Sequence, residues 1–286
     1  MKISAIDIGS NSVRLAMFAG GKTLYKRIST TRLGENLCFT GKMSEAAMLR
    51  TANAVAEFKS FANSDGAEKV YVFATAAVRS SSNREEFLAL VKKMCGADID
   101  VISGEEEAAC GILGALRGKD GGMIDVGGAS TEIDISKNNK TLYSKSVNIG
   151  AVRLFDIAGR DRKKLEAAIA EKIVEYGDVP AKGMRMYAIG GTATTLAAVK
   201  HGFYDPEVTD GTVISVSEIF EMSDKFISLP VEEVKKIPGM EVKRADVIGG
   251  SCLLLGMIMQ KFGIEDITVS ESDNLEGYVL RREGTL

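Results

Sequence analysis

Apolar and polar positions follow two rhythms along this chain. A short apolar run at 3–8 ends in Asp7-Ile-Gly and a tight polar turn. Period-two alternation follows over 13–18 and 23–28, with Gly20-Gly21 between the two stretches. Alternation punctuated by Gly-Gly predicts a hairpin. The same succession returns at 123–126, 131–135 and 141–147, with Asn138-Asn139 at the turn. Elsewhere the apolar spacing widens to three and four residues. Met48, Ala52, Val55, Phe58 and Ala62 fall on one face of a helix over 44–62, with Ser44 as its N-cap. Strands at 70–74, 99–102, 184–189 and 267–269 alternate with helices at 84–93, 105–116, 162–176, 193–200, 216–228 and 245–262. Each half therefore opens on antiparallel strands and adds crossover helices to a mixed sheet, an α/β class.

The recurrence is a repeat. Asp7-Ile-Gly-Ser-Asn-Ser12-Val-Arg-Leu15 returns as Asp125-Val-Gly-Gly-Ala-Ser130-Thr-Glu-Ile133, and Lys22-Thr-Leu-Tyr25 as Lys140-Thr-Leu-Tyr143, all at an offset of 118. Between Asp7 and Tyr25, seven of nineteen positions are identical, far above chance. A repeat at this spacing predicts duplicated domains at 1–118 and 119–271; the segment 272–286 is separately expected to pack back on the first. The length of 286 residues also suits two domains.

Composition narrows the chemistry. Apolar residues make up 45% and charged residues 26%, an ordinary globular balance. The apolar stretch at 247–259 is shorter than the ~20 residues of a membrane span and reads as a buried helix. Met1-Lys2 runs straight into a strand-like segment, which points away from a secretory leader. Four cysteines show no CxxC spacing, so a cytoplasmic protein without zinc or disulfides is expected. A net charge of −3 argues against a nucleic-acid binder. The single histidine, His201, precedes Gly202 at a helix end and reads as a dipole partner. Ser-His-Asp catalysis is excluded unless that one residue serves. Chemistry falls to carboxylates, and an anionic substrate to backbone N–H groups, a few cations and a metal.

The repeated loops, Ser10-Asn11-Ser12 and Gly127-Gly128-Ala129-Ser130, supply glycine and small hydroxyl residues where N–H groups can approach phosphate. Facing each other, they would grip a polyphosphorylated anion in an interdomain cleft; each alone is also a plain hairpin turn. Gly190-Gly191-Thr192, between a strand and a helix, is a second anion motif or a glycine-rich turn. Asp125, just before its loop, is placed to hold Mg²⁺ with substrate oxygens; Asp7 is its counterpart. Glu132 reads on its own as an outward strand residue. Of the acidic run, Glu106 completes a capping box with Ser103, which leaves Glu107 pointing elsewhere.

The opening Ala5-Ile-Asp-Ile-Gly-Ser-Asn-Ser12 resembles the exopolyphosphatase / guanosine-pentaphosphate phosphohydrolase (Ppx/GppA) family of the actin-like ATPase superfamily. Thr31-Arg-Leu-Gly-Glu35, Ala74-Thr-Ala-Ala-Val-Arg79, Ser103-Gly-Glu-Glu-Glu107, Ile189-Gly-Gly-Thr192, Arg244-Ala-Asp-Val-Ile248 and Ile267-Thr-Val-Ser270 follow in the family's order. The resemblance implies two duplicated actin-like (ribonuclease H-like) domains and a Mg²⁺-dependent phosphohydrolase acting on inorganic polyphosphate or guanosine pentaphosphate (pppGpp). It places the general base on Glu107, a phosphate-binding cation on Arg79 with Asn83 as companion, and the metal on Asp125 and Glu132. A homodimer is a family expectation. Ala129 stands where the family has a third glycine, Gly249-Gly250-Ser251 departs from Pro-Gly-Gly, and Ser270–Gly277 lacks an arginine, so rate or substrate is expected to differ. Two rivals keep the loops: a non-hydrolytic guanosine-polyphosphate sensor, independent of Glu107, and a superfamily kinase, disfavoured by the absence of large insertions. Lys22, Lys26, Arg27 and Arg32 are candidates for a basic track leading a long polyphosphate chain.

Overall fold

The computed structural model describes residues 1–138 and 140–285; Asn139, half of the expected Asn138-Asn139 turn, lies outside the described residues. The chain divides into two compact units, Met1–Gly114 with the segment from Asn274 onward, and Ala115–Asp273.

The first unit carries β1 (Ile3–Ile8), β2 (Ser12–Ala19), β3 (Lys22–Thr30), β4 (Lys69–Ala74) and β5 (Asp100–Val101), in sheet order β3-β2-β1-β4-β5. Tight turns join β1, β2 and β3, which are antiparallel; β4 and β5 arrive through helices and lie parallel to β1. The second unit carries β6 (Gly121–Val126), β7 (Thr131–Lys137), β8 (Lys140–Val147), β9 (Met186–Ile189), β10 (Val213–Ser215) and β11 (Asp266–Val269), in order β10-β11-β9-β6-β7-β8. Apart from the antiparallel edge strand β10, the order β8-β7-β6-β9-β11 repeats the first sheet in sequence and direction. Both units have the actin-like topology that the resemblance implied.

The duplication extends to single hydrogen bonds. Gly9 N donates to Ser12 O and Gly127 N to Ser130 O, both at 3.0 Å; Gly34 N donates to Ser10 O and Val152 N to Gly128 O, both at 2.8 Å. The same irregularity also recurs. Met17 faces Tyr25 and Phe18 faces Thr23, skipping Leu24. Ile135 faces Tyr143 and Ser136 faces Thr141, skipping Leu142. Both skipped leucines are exposed.

The central strands β1 and β6 are buried along their whole length, as strands covered on both faces must be. Helix Glu45–Ser64 buries the Met48, Ala52, Val55, Phe58 and Ala62 face, and Ser44 Oγ caps it from Ala47 N at 3.2 Å. The apolar stretch at 247–259 starts at the N-cap Val247 and runs into the buried helix Ile248–Phe262, and no helix among the described residues is long and apolar enough to cross a membrane. Helix Asn274–Glu283 belongs to the first unit: Tyr278 stacks on Phe73 at 4.3 Å, and buried Glu276 takes Lys26 Nζ (2.9 Å) and Thr23 Oγ1 (2.8 Å). Arg27 lies over the Phe61 ring at 3.5 Å. Two members of the expected basic track are thus engaged within the fold. The expected helix over 162–176 ends at Ile173 and closes in the 3₁₀ turn Val174–Tyr176, and the one expected from 193 starts at Gly190.

Candidate active site

In the first unit, Asp7 and Arg14 are direct partners in the β1–β2 register. Arg14 Nε donates to Asp7 Oδ2 at 3.1 Å, and its Nη2 bonds the same oxygen. The Asp7 charge is therefore met inside its own hairpin. The loop beyond it is held from behind: Asn11 O accepts from Thr31 N (3.0 Å) and Arg32 N (2.9 Å), and Ser10 O from Gly34 N. A Cβ at Gly34 would stand 3.0 Å from Ser10 Cβ, so that segment packs tightly on the loop.

Helix Gly104–Leu116 opens with the expected capping box. Glu106 N donates to Ser103 Oγ at 3.1 Å, and Ser103 N to Glu106 Oε2 at 3.0 Å. The next residue, Glu107, is buried and accepts from Arg79 Nη1 at 2.9 Å; the same Nη1 reaches Ile102 O at 2.9 Å. Arg79 sits at the end of the short helix Ala76–Ser80, and its Nε and Nη2 make no hydrogen bond among the described residues. Burial lifts the Glu107 carboxyl above its ordinary range, the Arg79 guanidinium pulls it back, Asp7 adds to the rise, and the Thr75 hydroxyl opposes it. Nothing in the sequence singled out Thr75, although it lies within the family-like segment Ala74–Arg79. Asn83 is occupied elsewhere. Its Oδ1 accepts from Met43 N and its Nδ2 donates to Met43 O, each at 3.0 Å, so the amide clamps backbone at both ends.

In the second unit, helix Ala151–Ala158 grips the Gly127–Ser130 loop by its carbonyls. Ala151 N donates to Gly127 O (2.8 Å), Val152 N and Arg153 N to Gly128 O (2.8 and 3.1 Å), and Arg153 Nε to Ala129 O (2.9 Å). In a planar trans peptide the C=O and the following N–H point in opposite directions. The N–H groups of Gly128, Ala129 and Ser130 therefore face away from this helix, and none donates a hydrogen bond among the described residues. Successive N–H groups turned to one side form an anion nest. Gly150 permits the grip, since a Cβ there would lie 2.6 Å from Gly127 O. Ala129 does not have a positive φ, so it replaces the family's glycine without backbone strain.

Gly190 and Gly191 make room for side chains. Gly190 has φ +77°, and a Cβ on it would stand 2.6 Å from Asp125 Oδ1. A Cβ on Gly191 would overlap the buried Arg244 guanidinium, which is tied to Glu241 Oε2 at 2.6 Å. Thr192 Oγ1 donates to Val126 O at 3.1 Å, so this hydroxyl fastens the helix to β6. Arg153 and Arg244 are the basic residues that sequence reasoning missed; Arg244 at least opens the family-like segment Arg244–Ile248. His201 ends helix Gly190–His201, with Nε2 at 2.9 Å from Thr212 Oγ1.

Asp125 and Glu132 oppose each other in the β6–β7 register, where the first unit has Asp7 and Arg14. The repeat thus carries an ion pair in one copy and two carboxylates in the other, 8% and 2% exposed. Ser146 Oγ donates to Glu132 Oε1 at 2.5 Å. Neighbouring like charges favour a cation between them. No group of three or more His, Cys, Asp or Glu suited to a metal occurs among the described residues. Mg²⁺ needs fewer, since one or two carboxylates plus substrate oxygens suffice. The Asp125–Glu132 pair fits that requirement; Asp7 is paired with Arg14.

The chain is similar to several known proteins. Exopolyphosphatase 2 of Mycobacterium tuberculosis is 30% identical over 316 residues, covering 99% of both chains. The guanosine-5'-triphosphate,3'-diphosphate pyrophosphatase of Photobacterium profundum is 28% identical over 96% of this chain and 58% of its own length. The bifunctional 3-dehydroquinate synthase/phosphatase of Fusobacterium nucleatum is 30% identical over 97% of this chain and 46% of its own. The chain thus spans about half the length of the last two. A solved exopolyphosphatase-like protein superposes with a TM-score of 0.89 at 26% identity, covering 98% of this chain and 97% of that one. The model of the Ppx/GppA phosphatase family matches residues 16–285, and the chain belongs to that family.

Proposed function

We propose that the protein is a Mg²⁺-assisted phosphohydrolase that releases terminal phosphate from inorganic polyphosphate, with guanosine pentaphosphate as the second candidate substrate. The observation that carries this reading is Glu107, a buried carboxylate with raised proton affinity, oriented by Arg79. Such a group suits a general base that positions a water for in-line attack and takes its proton. The N–H groups of Gly128, Ala129 and Ser130 would bind phosphate oxygens. Arg79 keeps Nε and Nη2 for a phosphate while Nη1 holds the base. Mg²⁺ on Asp125 and Glu132, when bound, would neutralise part of the anhydride's charge. Polyphosphate comes first because the relative named for it matches this chain along its full length.

The test is phosphate release from tripolyphosphate, long-chain polyphosphate and guanosine pentaphosphate with Mg²⁺. Loss of a general base typically costs about 10²–10⁴ in rate, so Glu107→Gln is expected to fall by that much in kcat. Absence of release from all three substrates, or full activity in Glu107→Gln, refutes the reading. Nucleotide binding without turnover would identify a sensor instead.

A further inference from the structure

We propose that Arg153 is a positioning residue for phosphate binding: its guanidinium fixes the Ala129–Ser130 peptide so that the Ser130 N–H faces the anion. This rests on the reading of the Gly127–Ser130 loop as a phosphate site. Of the three carbonyls on the back of that loop, Gly127 O and Gly128 O are held by backbone N–H groups, which almost any residue supplies. Ala129 O is held by a side chain, Arg153 Nε at 2.9 Å.

The other copy of the repeat shows what Arg153 replaces. The counterpart of Ala129 is Asn11, whose carbonyl takes two backbone donors, Thr31 N and Arg32 N. To deliver the second, Arg32 adopts φ +51°, a left-handed conformation uncommon for a residue with a Cβ. The counterparts of Thr31 and Arg32 are Ile149 and Gly150. Ile149 N is spent on Val147 O at 2.7 Å, and Gly150 is extended at φ −164°. The backbone solution of the first copy is therefore absent from the second, and a guanidinium stands in for it.

Two effects follow at Ser130. A peptide whose carbonyl is pinned does not have to be ordered when the anion arrives, which is preorganisation. A cation on that carbonyl also polarises the peptide, so its N–H becomes a stronger donor to an anion. Arg153 thereby acts on phosphate through the peptide, without touching it.

The experiment compares wild type, Arg153→Ala and Arg153→Lys by calorimetric binding of inorganic phosphate, and by kcat and KM for tripolyphosphate. A hydrogen bond to a charged group is worth about tenfold or more in affinity. Arg153→Ala is therefore expected to raise the phosphate Kd and the KM by about tenfold or more, with kcat changed much less. Arg153→Lys should recover most of the loss, because one N–H is enough for one carbonyl. Phosphate binding by Arg153→Ala as tight as wild type overturns the inference while the hydrolase reading stands. So does a loss in kcat as large as that in KM with no rescue by lysine. If alanine prevents folding, the Arg153→Lys and Arg153→Gln proteins decide: lysine should bind phosphate more tightly than glutamine, and the reverse order overturns the inference. Wild-type protein that binds no phosphate overturns the loop reading itself. The binding arm needs no turnover, so absence of hydrolysis leaves it decisive.

Discussion

Replacing Gly190 with alanine tests how Asp125 is positioned. The residue has φ +77°, and the new Cβ would lie 2.6 Å from Asp125 Oδ1. Left-handed backbone costs a residue with a Cβ roughly 1–2 kcal/mol. Favourable heavy-atom separations lie near 3.5 Å, so the Asp125 carboxylate must also retreat by roughly 1 Å. With strain of the kind seen in overpacked sites, the expected loss of stability is about 2–3 kcal/mol. That corresponds to roughly 4–12 °C in Tm for a unit of this size. Misplacement by 1 Å can cost on the order of 10² in rate, so phosphate release should fall by about that factor. The assays are thermal melting and steady-state phosphate release across a Mg²⁺ titration. An Asp125→Ala background separates the two terms. Without the carboxylate the overlap disappears, and Gly190→Ala should cost only the backbone term, giving a coupling of at least ~0.5 kcal/mol. Equal cost in both backgrounds, or an unchanged Mg²⁺ dependence of Gly190→Ala, would refute the placement of Asp125 against Gly190.

Glu107 holds its proton more tightly when folded than when unfolded, so kcat/KM should rise with pH along an acid limb centred above the ordinary glutamate value. Its contribution to stability is full below that ordinary value and is lost as pH rises through the raised one. The Tm of Glu107→Gln minus that of wild type should therefore grow as melts are taken from about pH 4 to 8; a flat difference would contradict the buried, ionising base. Glu106→Ala should lower stability by about 1 kcal/mol through loss of the capping box, with kcat retained within a few-fold; a collapse of kcat would exchange the roles of the two glutamates. Asn83→Ala leaves both polar groups of the buried Met43 backbone without their present partner, at about 2–4 kcal/mol. Urea unfolding should show that loss, while KM stays near wild type if the amide is a clamp.

The parts of this fold that lie close in sequence were legible before the structure. Alternation and Gly-Gly punctuation mark the first hairpin, and the repeat at Asp125 carries the same topology into the second unit. The spacing of Ser103 and Glu106 gave the capping box, because an N-cap and its third helical residue touch by local geometry alone. Contacts across long separations left no such trace. Asn83, expected beside Arg79 as a phosphate companion, is seen in the structure to clamp Met43, forty residues earlier. Helix Ala151–Ala158 is eight residues long and has no side-chain cap, so it lacks the usual start signal. The helix beginning at Gly190 contradicts propensity; its glycines are there because Asp125 and Arg244 need the space. Arg153 carries no motif of its own, since its role is defined by a carbonyl that another residue would otherwise have satisfied.

Leu24 and Leu142 are large, apolar and exposed. They are the residues that the β2–β3 and β7–β8 ladders skip, and each lies on the outermost strand of its sheet. An outermost strand is a template on which another chain can crystallise a ladder, and a bulge spoils the template by breaking its spacing. The need is doubled here, because the chain carries the segment Lys-Thr-Leu-Tyr twice and so presents two matching edges to its neighbours in a crowded solution of half-folded molecules. Removing both leucines would leave less greasy surface on the native protein and straighter rims on its sheets. Each exposed leucine thus marks the point at which its edge strand departs from a regular, pairable spacing.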